Sequence, residues 1–180
     1  NWAVWLHEYL EQFPEQQDVL RYVLTANAPE TKDNDFTWEE FQARNNNELV
    51  AIFGNFINRV MVLTHKYYEG FVPEPGTLHD EDLKVLASMT ELPKKIGDSI
   101  ENYRFREASQ MLMSLARLGN KYLADAEPWK IVKTDPQRVK TIMFTALQVS
   151  AGLSILSEPL LPFTASKLAQ MLNLELEPLI

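Results

Sequence analysis

ELVAIFGNFINRVMVLTHKYYEG, residues 48–70, is the stretch whose periodicity decides the fold. At 100° per residue, Leu49, Ile52, Phe53, Phe56, Ile57, Val60, Leu63 and Tyr67 fall on one side of a helix. A stripe that broad predicts the central helix of a bundle. Ala51, Asn55, Arg59, Val62 and Lys66 form a second stripe beside it. Asn55 and Arg59 stand four apart, so their side chains lie one turn from each other and can reach the same object. Spacing alone favours plain solvation of such a pair. The alternative is that an amide beside a guanidinium reads hydrogen-bonding edges.

Working outward, Asn1 to Gln12 predicts a short helix with Trp2 and Trp5 as packing residues, stopped by Phe13-Pro14. Gln16 to Asn27 predicts a second helix that buries Val19, Leu20, Val23 and Leu24. Ala28 to Phe36 is a polar loop containing Pro29, Thr31 and Lys32, and marks a candidate boundary. Thr37 is a candidate N-cap, with Glu39 and Glu40 in the first turn and Trp38 and Phe41 as anchors. Asn45-Asn46-Asn47 is expected to end that helix and cap the next, since asparagine prefers caps and turns, the alternative being that it presents amides to a ligand. Beyond the proline-rich loop 71–77, further helices are expected over His79–Leu92, Lys94–Tyr103, Arg104–Ala124, Pro136–Ser157 and Thr164–Leu172. The first of these is predicted to bury Leu83, Leu86 and Met89. No segment alternates with period two, so the expected class is an all-α helical bundle.

Composition narrows the function classes. Hydrophobic residues make up 46% and charged residues 23%, ordinary for a globular chain of 180 residues. No uninterrupted apolar run reaches the ~20 residues of a membrane span. There is no cysteine, so disulfides and thiolate metal sites are excluded within the chain, which fits a reducing compartment. The net charge of −8 argues against a nonspecific duplex binder. Residues 104–140, however, carry eight basic and four acidic groups, net +4. A local positive face can hold RNA on an acidic protein.

Enzyme signatures are absent. There is no glycine-rich phosphate loop, no G-x-S-x-G elbow and no histidine pair at metal-ligand spacing. His7, His65 and His79 are scattered. Pro128-Trp129 is more telling, because a helix break can hold an indole outward as a stacking surface for an unpaired base. A tryptophan tucked over the bundle end explains the same dipeptide equally well. Lys121, Lys130, Lys133, Arg138 and Lys140 surround it in sequence and could hold phosphates. An Asn/Arg pair, an indole and lysines are together the parts of a single-stranded RNA reader.

Six segments then carry a family resemblance by their order and spacing. They are Leu20-Arg21-Tyr22-Val23-Leu24, Asn27-Ala28-Pro29-Glu30-Thr31, Asp35-Phe36-Thr37-Trp38, Gly54-Asn55-Phe56-Ile57-Asn58-Arg59, Asn120-Lys121-Tyr122-Leu123, and Pro128-Trp129. Over essentially its whole length the chain resembles the C-terminal part of bacterial-type methionyl-tRNA synthetases, class I aminoacyl-tRNA synthetases. The resemblance implies a short helical stem-contact segment over residues 1–33, then an α-helical anticodon-binding domain over 34–180. It implies that Asn55 and Arg59 contact the first base of a CAU anticodon and that Trp129, supported by Pro128, stacks in the same site. Phosphate contacts are expected from Lys66, Lys121, Lys130 and Lys133. A further family position is Asn in some members but Ala51 here, so that contact is not carried over. The resemblance places the catalytic domain upstream and makes it a partner, with ATP, Mg and a structural Zn belonging to it and none to this chain. The implied setting is cytoplasmic, with tRNA as partner and no DNA or membrane. The chain alone is expected neither to activate methionine nor to charge tRNA. Two other readings are the bundle of another class I synthetase, for cysteine or valine, and a helical protein-interaction module with no RNA role.

Overall fold

A computed structural model describes residues 3–30 and 33–175, and all regular structure among them is helical. In chain order the helices are α1 Leu6–Gln12, α2 Gln17–Ala26, α3 Trp38–Arg44, α4 Asn55–Tyr68, α5 Asp80–Thr90, α6 Leu92–Glu101, α7 Phe105–Ala126, α8 Pro128–Ile131, α9 Pro136–Ser157 and α10 Pro162–Met171. A π-helical segment, Asn45–Gly54, joins α3 to α4 without a break.

That segment is the main departure from the expected pattern. The asparagine triplet caps nothing; Arg44, Asn45 and Asn55 all have helical backbone angles, and one rod runs from Trp38 to Tyr68. Hydrogen bonds to i+5 rather than i+4 widen each turn by a residue, so the apolar stripe loses phase across it. Phe53, Phe56, Ile57 and Val60 are buried as expected, while Leu49 and Ile52 are only half-buried and Thr64 is buried instead. Thr37 does cap the rod, its hydroxyl accepting from Glu40 N at 3.2 Å. Trp38 and Phe41 anchor it in an aromatic cluster with Tyr9 and Phe13.

The centre of the bundle is α9 rather than the 48–70 helix. It touches α4, α5, α6, α7, α8 and α10. It is also long and apolar enough by composition to cross a membrane (mean hydropathy 1.5), which the count of uninterrupted apolar residues missed, but 67% of that window is buried in the bundle. Its hydroxyl residues cost little inside, because Thr145 and Ser150 donate to their own helix at Thr141 O and Ala146 O. A helix apolar on all sides belongs in the core, whereas the 38–68 rod keeps a wet face.

Three smaller expectations are corrected. The first helix begins at Leu6, and Trp5 is 61% exposed rather than packed; Trp2 lies outside the described residues, as do Thr31 and Lys32 of the polar loop. On α2, Leu24 faces outward while Asp18 is buried, its carboxylate accepting from Thr164 N at the start of α10. On α5, Leu83 is exposed and the buried positions are Asp82 and Val85.

Two contacts set the position of α7. An added Cβ at Gly119 would come within 2.5 Å of the Phe56 ring, which is fully buried. Only a glycine lets α7 approach α4 this closely. Gly119→Ala must push that ring out of place, an overpacking that costs about 1–3 kcal/mol. Thermal unfolding is the readout, and an unchanged midpoint would show the ring has room to yield. The second contact is the Asp82 carboxylate, which accepts a two-pronged bond from Arg138, a bond from the Tyr122 hydroxyl at 2.5 Å, and one from His79 N at 2.8 Å. It ties α5, α7 and α9 together.

Candidate nucleic-acid interface

Helix α7 ends at Ala126, and Glu127 turns the chain with left-handed angles (φ 43°, ψ 53°). Pro128 then opens the one-turn helix α8 with its ring buried, which leaves Trp129 beside it 38% exposed. A buried proline and a wet indole resolve the ambiguity of the dipeptide: the tryptophan is held at the surface, not sealed in the bundle end.

Arg59 meets it there. Its guanidinium carbon lies 5.2 Å from the centre of the indole ring, close enough for a cation–π attraction of about 0.5–1 kcal/mol at a wet site. The contact spans 70 positions of sequence and joins α4 to α8. Arg59 has no carboxylate partner among the described residues, so its N–H donors remain available. The guanidinium stands over the indole, and the exposed remainder of the ring is free to stack.

Asn55, one turn before Arg59, is exposed and bonded elsewhere. Its Nδ2 donates to Asn120 Oδ1 at 3.0 Å. Asn120 in turn donates to the carbonyls of Ile52 at 2.8 Å and Ala116 at 3.2 Å. Two carbonyl acceptors fix which end of the Asn120 amide is nitrogen, and that fixes Asn55 as the donor of the pair. One N–H and the carbonyl oxygen of Asn55 are left for a ligand. Asn120 was missed as a site residue. It lies 65 positions from Asn55, and only its place among the family-like segments singled it out.

The cations are less uniform than their number suggests. Arg138 is no phosphate ligand, because its side chain is largely buried on Asp82. Lys121 pairs with Asp125 at 2.5 Å and Lys130 with Glu127 at 2.8 Å, both exposed pairs that hold their partners weakly. Lys66 lies 5.5 Å from the centre of the Tyr67 ring. Lys133 is exposed and without an ion pair among the described residues. No group of three His, Asp or Glu that could hold a metal occurs among the described residues.

Comparison with known proteins fixes the family. The description "Anticodon binding domain of methionyl tRNA ligase" matches residues 72–178, and "tRNA synthetases class I (M)" matches residues 1–61. The chain is 73% identical over 173 residues to the methionine–tRNA ligase of Christiangramia forsetii, covering 96% of this chain and 25% of that protein. It is 67% identical over 174 residues to that of Flavobacterium johnsoniae, covering 97% and 24%. The fold superposes on the free-state crystal structure of Mycobacterium tuberculosis methionyl-tRNA synthetase with a TM-score of 0.84 at 25% identity, over 88% of this chain and 33% of that one. The chain thus spans about a quarter of the length of the curated relatives it matches. These matches favour a methionyl bundle over one for cysteine or valine and over a protein-interaction module. With the family match over residues 72–178, the high-identity relatives and the shared fold all in agreement, the chain belongs to the methionyl-tRNA ligase family and carries that family's anticodon-binding domain.

Proposed function

We propose that this chain reads the CAU anticodon loop of a methionine tRNA, and that the surface pairing of Arg59 with Trp129 at 5.2 Å is the observation that carries the reading. Arg59 donates to O2 and N3 of the first anticodon base, the acceptors a cytosine offers on its pairing edge. Trp129, rather than Asn55, orients Arg59, because the indole lies under the guanidinium while Asn55 is fixed by Asn120. The remaining amide groups of Asn55 read the same base, and the open part of the indole stacks on a splayed one. Pro128 sets the turn. Lys66, Lys130 and Lys133 hold loop phosphates, and Lys121 joins them by exchanging Asp125 for RNA.

In the longer protein, residues 1–33 act as the stem-contact segment between this bundle and the catalytic domain. That domain attaches methionine to tRNA in the cytoplasm with ATP and Mg, and carries the structural Zn. Anticodon binding contributes position rather than chemistry: the energy gained here places the acceptor end in a distant site.

The test is a titration of anticodon stem-loop RNAs, CAU against variants at the first base, with wild type and Arg59→Ala. A two-pronged contact is worth about 1–3 kcal/mol of discrimination. Wild type should therefore prefer CAU by roughly 5- to 150-fold, and Arg59→Ala should lose most of that preference. Equal affinity of the wild type for every loop defeats the reading.

A further inference from the structure

A small cavity of about 170 Å³ opens where α2, the π segment and α7 meet, lined among others by Tyr22, Arg44, Glu48, Arg106, Met113 and Arg117. Three guanidiniums around one carboxylate is an unusual charge balance, and the hydrogen bonds show how it is distributed. Glu48 is fully engaged: Oε1 accepts from Arg44 Nη1 at 2.7 Å and Oε2 from the Tyr22 hydroxyl. Burial, with the Glu48 hydrogen bond behind it, pushes the Tyr22 hydroxyl well above its usual range, so it remains a committed donor. Arg44 is held further by Asn27 Oδ1 at 2.9 Å and faces Glu40 at 3.8 Å. Glu30 accepts from the backbone N–H of Arg106, not from its side chain. Arg106 and Arg117 therefore keep guanidiniums with no carboxylate partner among the described residues.

Their place on α7 gives this a direction. Arg106, Met113, Arg117 and Asn120 follow one face of the helix, at offsets of 7, 11 and 14 residues. At 1.5 Å per residue, Arg117 stands about 5 Å along the axis from Asn120, and Arg106 about 21 Å. Asn120 holds Asn55, so the two free guanidiniums lie on a line leading away from the base-reading site. An unpaired guanidinium beside a cavity several times the ~30 Å³ share of one water suits a phosphate oxygen, which it can grip with two parallel N–H groups.

We propose that Arg106 and Arg117 form a second, sequence-blind phosphate site that holds the backbone of the RNA strand running from the anticodon triplet into its stem. The proposal rests on the anticodon reading above and extends it to two members of the basic block 104–140 that the sequence did not single out. Arg44 and Glu48 serve as its floor. They keep Tyr22 and the π segment in place and leave the two α7 arginines to the ligand.

The experiment uses the full-length protein with the paired substitution Arg106→Gln and Arg117→Gln. Synthetic stem-loops, one with a CAU loop and one changed at the first anticodon base, are titrated across a series of KCl concentrations. Losing two phosphate contacts should make the slope of log affinity against log salt shallower by about 1.4 and weaken binding on the order of tenfold at 0.1 M salt. Both loops should weaken by the same factor, leaving the CAU preference intact. The pair Arg106→Lys and Arg117→Lys, which keeps the charges, should restore most of the slope. An unchanged slope in the glutamine pair overturns the site, while the anticodon reading stands if CAU is still preferred. A wild type with no CAU preference overturns the anticodon reading itself. A lower thermal midpoint with an unchanged slope would mean that the arginines pair with carboxylates elsewhere in the same polypeptide, which also overturns the site.

Discussion

Asp82→Asn is expected to destabilise the fold by about 3 kcal/mol, because removing one member of a buried ion pair strands the other. The carboxylate is fully buried, and the Arg138 side chain bonded to it is 15% exposed. Asparagine keeps the shape but loses the charge, and it can accept from only one prong of the guanidinium. For a chain of this size 3 kcal/mol lowers the thermal midpoint by roughly 6–12 °C. The pH dependence has a definite sign. Burial alone would raise the Asp82 carboxyl, but hydrogen bonds from Arg138, Tyr122 and His79 N–H, together with the Arg138 charge, hold it below the ordinary carboxylate value. A carboxyl lowered on folding adds stability above its unfolded pKa of about 3.9 and loses it as pH falls through the folded value. Wild type should therefore lose stability below about pH 4 more steeply than Asp82→Asn, and the two should converge in acid. Denaturation midpoints between pH 3 and pH 7 check this. Parallel curves would show that the carboxylate has little to do with folding.

The second large effect concerns the ligand rather than the fold. Trp129→Ala should weaken a CAU stem-loop by about 1–3 kcal/mol, the usual worth of one base–aromatic stack, which is roughly 5- to 150-fold in affinity. The indole is partly in water, while the buried Pro128 next to it carries the packing of the turn. The circular-dichroism melting point should therefore move little. Truncation also leaves Arg59 without the ring that orients it, so discrimination at the first base should fall along with affinity. Trp129→Phe keeps a face for both partners and should recover part of each. If the alanine variant bound as tightly as wild type, the indole would be packing, not platform.

The sequence revealed the components of this face better than their arrangement. Asn55 and Arg59 are legible because four residues make one helical turn, and Pro128-Trp129 because proline marks a break. The contact between Arg59 and Trp129 is not legible, since it joins elements 70 residues apart that meet only once α7 and α9 are packed. Asp82 and Arg138 show the cost of reading locally. Asp82 carries no signal of its own and Arg138 reads as a phosphate cation, yet residues 56 positions apart fold back to make one buried pair. The core helix was underrated for a different reason. Serine and threonine score as polar, but a hydroxyl that donates to its own helix backbone packs as a small apolar group.

The wide turns at Asn45–Gly54 act as a phase adjuster in the long rod. In their first turn, Tyr22 and Glu48 lock the rod to α2; just beyond their end, Asn55 and Arg59 meet α7 and the Trp129 turn. At a uniform 3.6 residues per turn, satisfying one of these docks would set the angular position of the other. An altered winding between them gives each end its own orientation, so one end can follow the N-terminal helices while the other keeps its aim at Asn120 and Trp129.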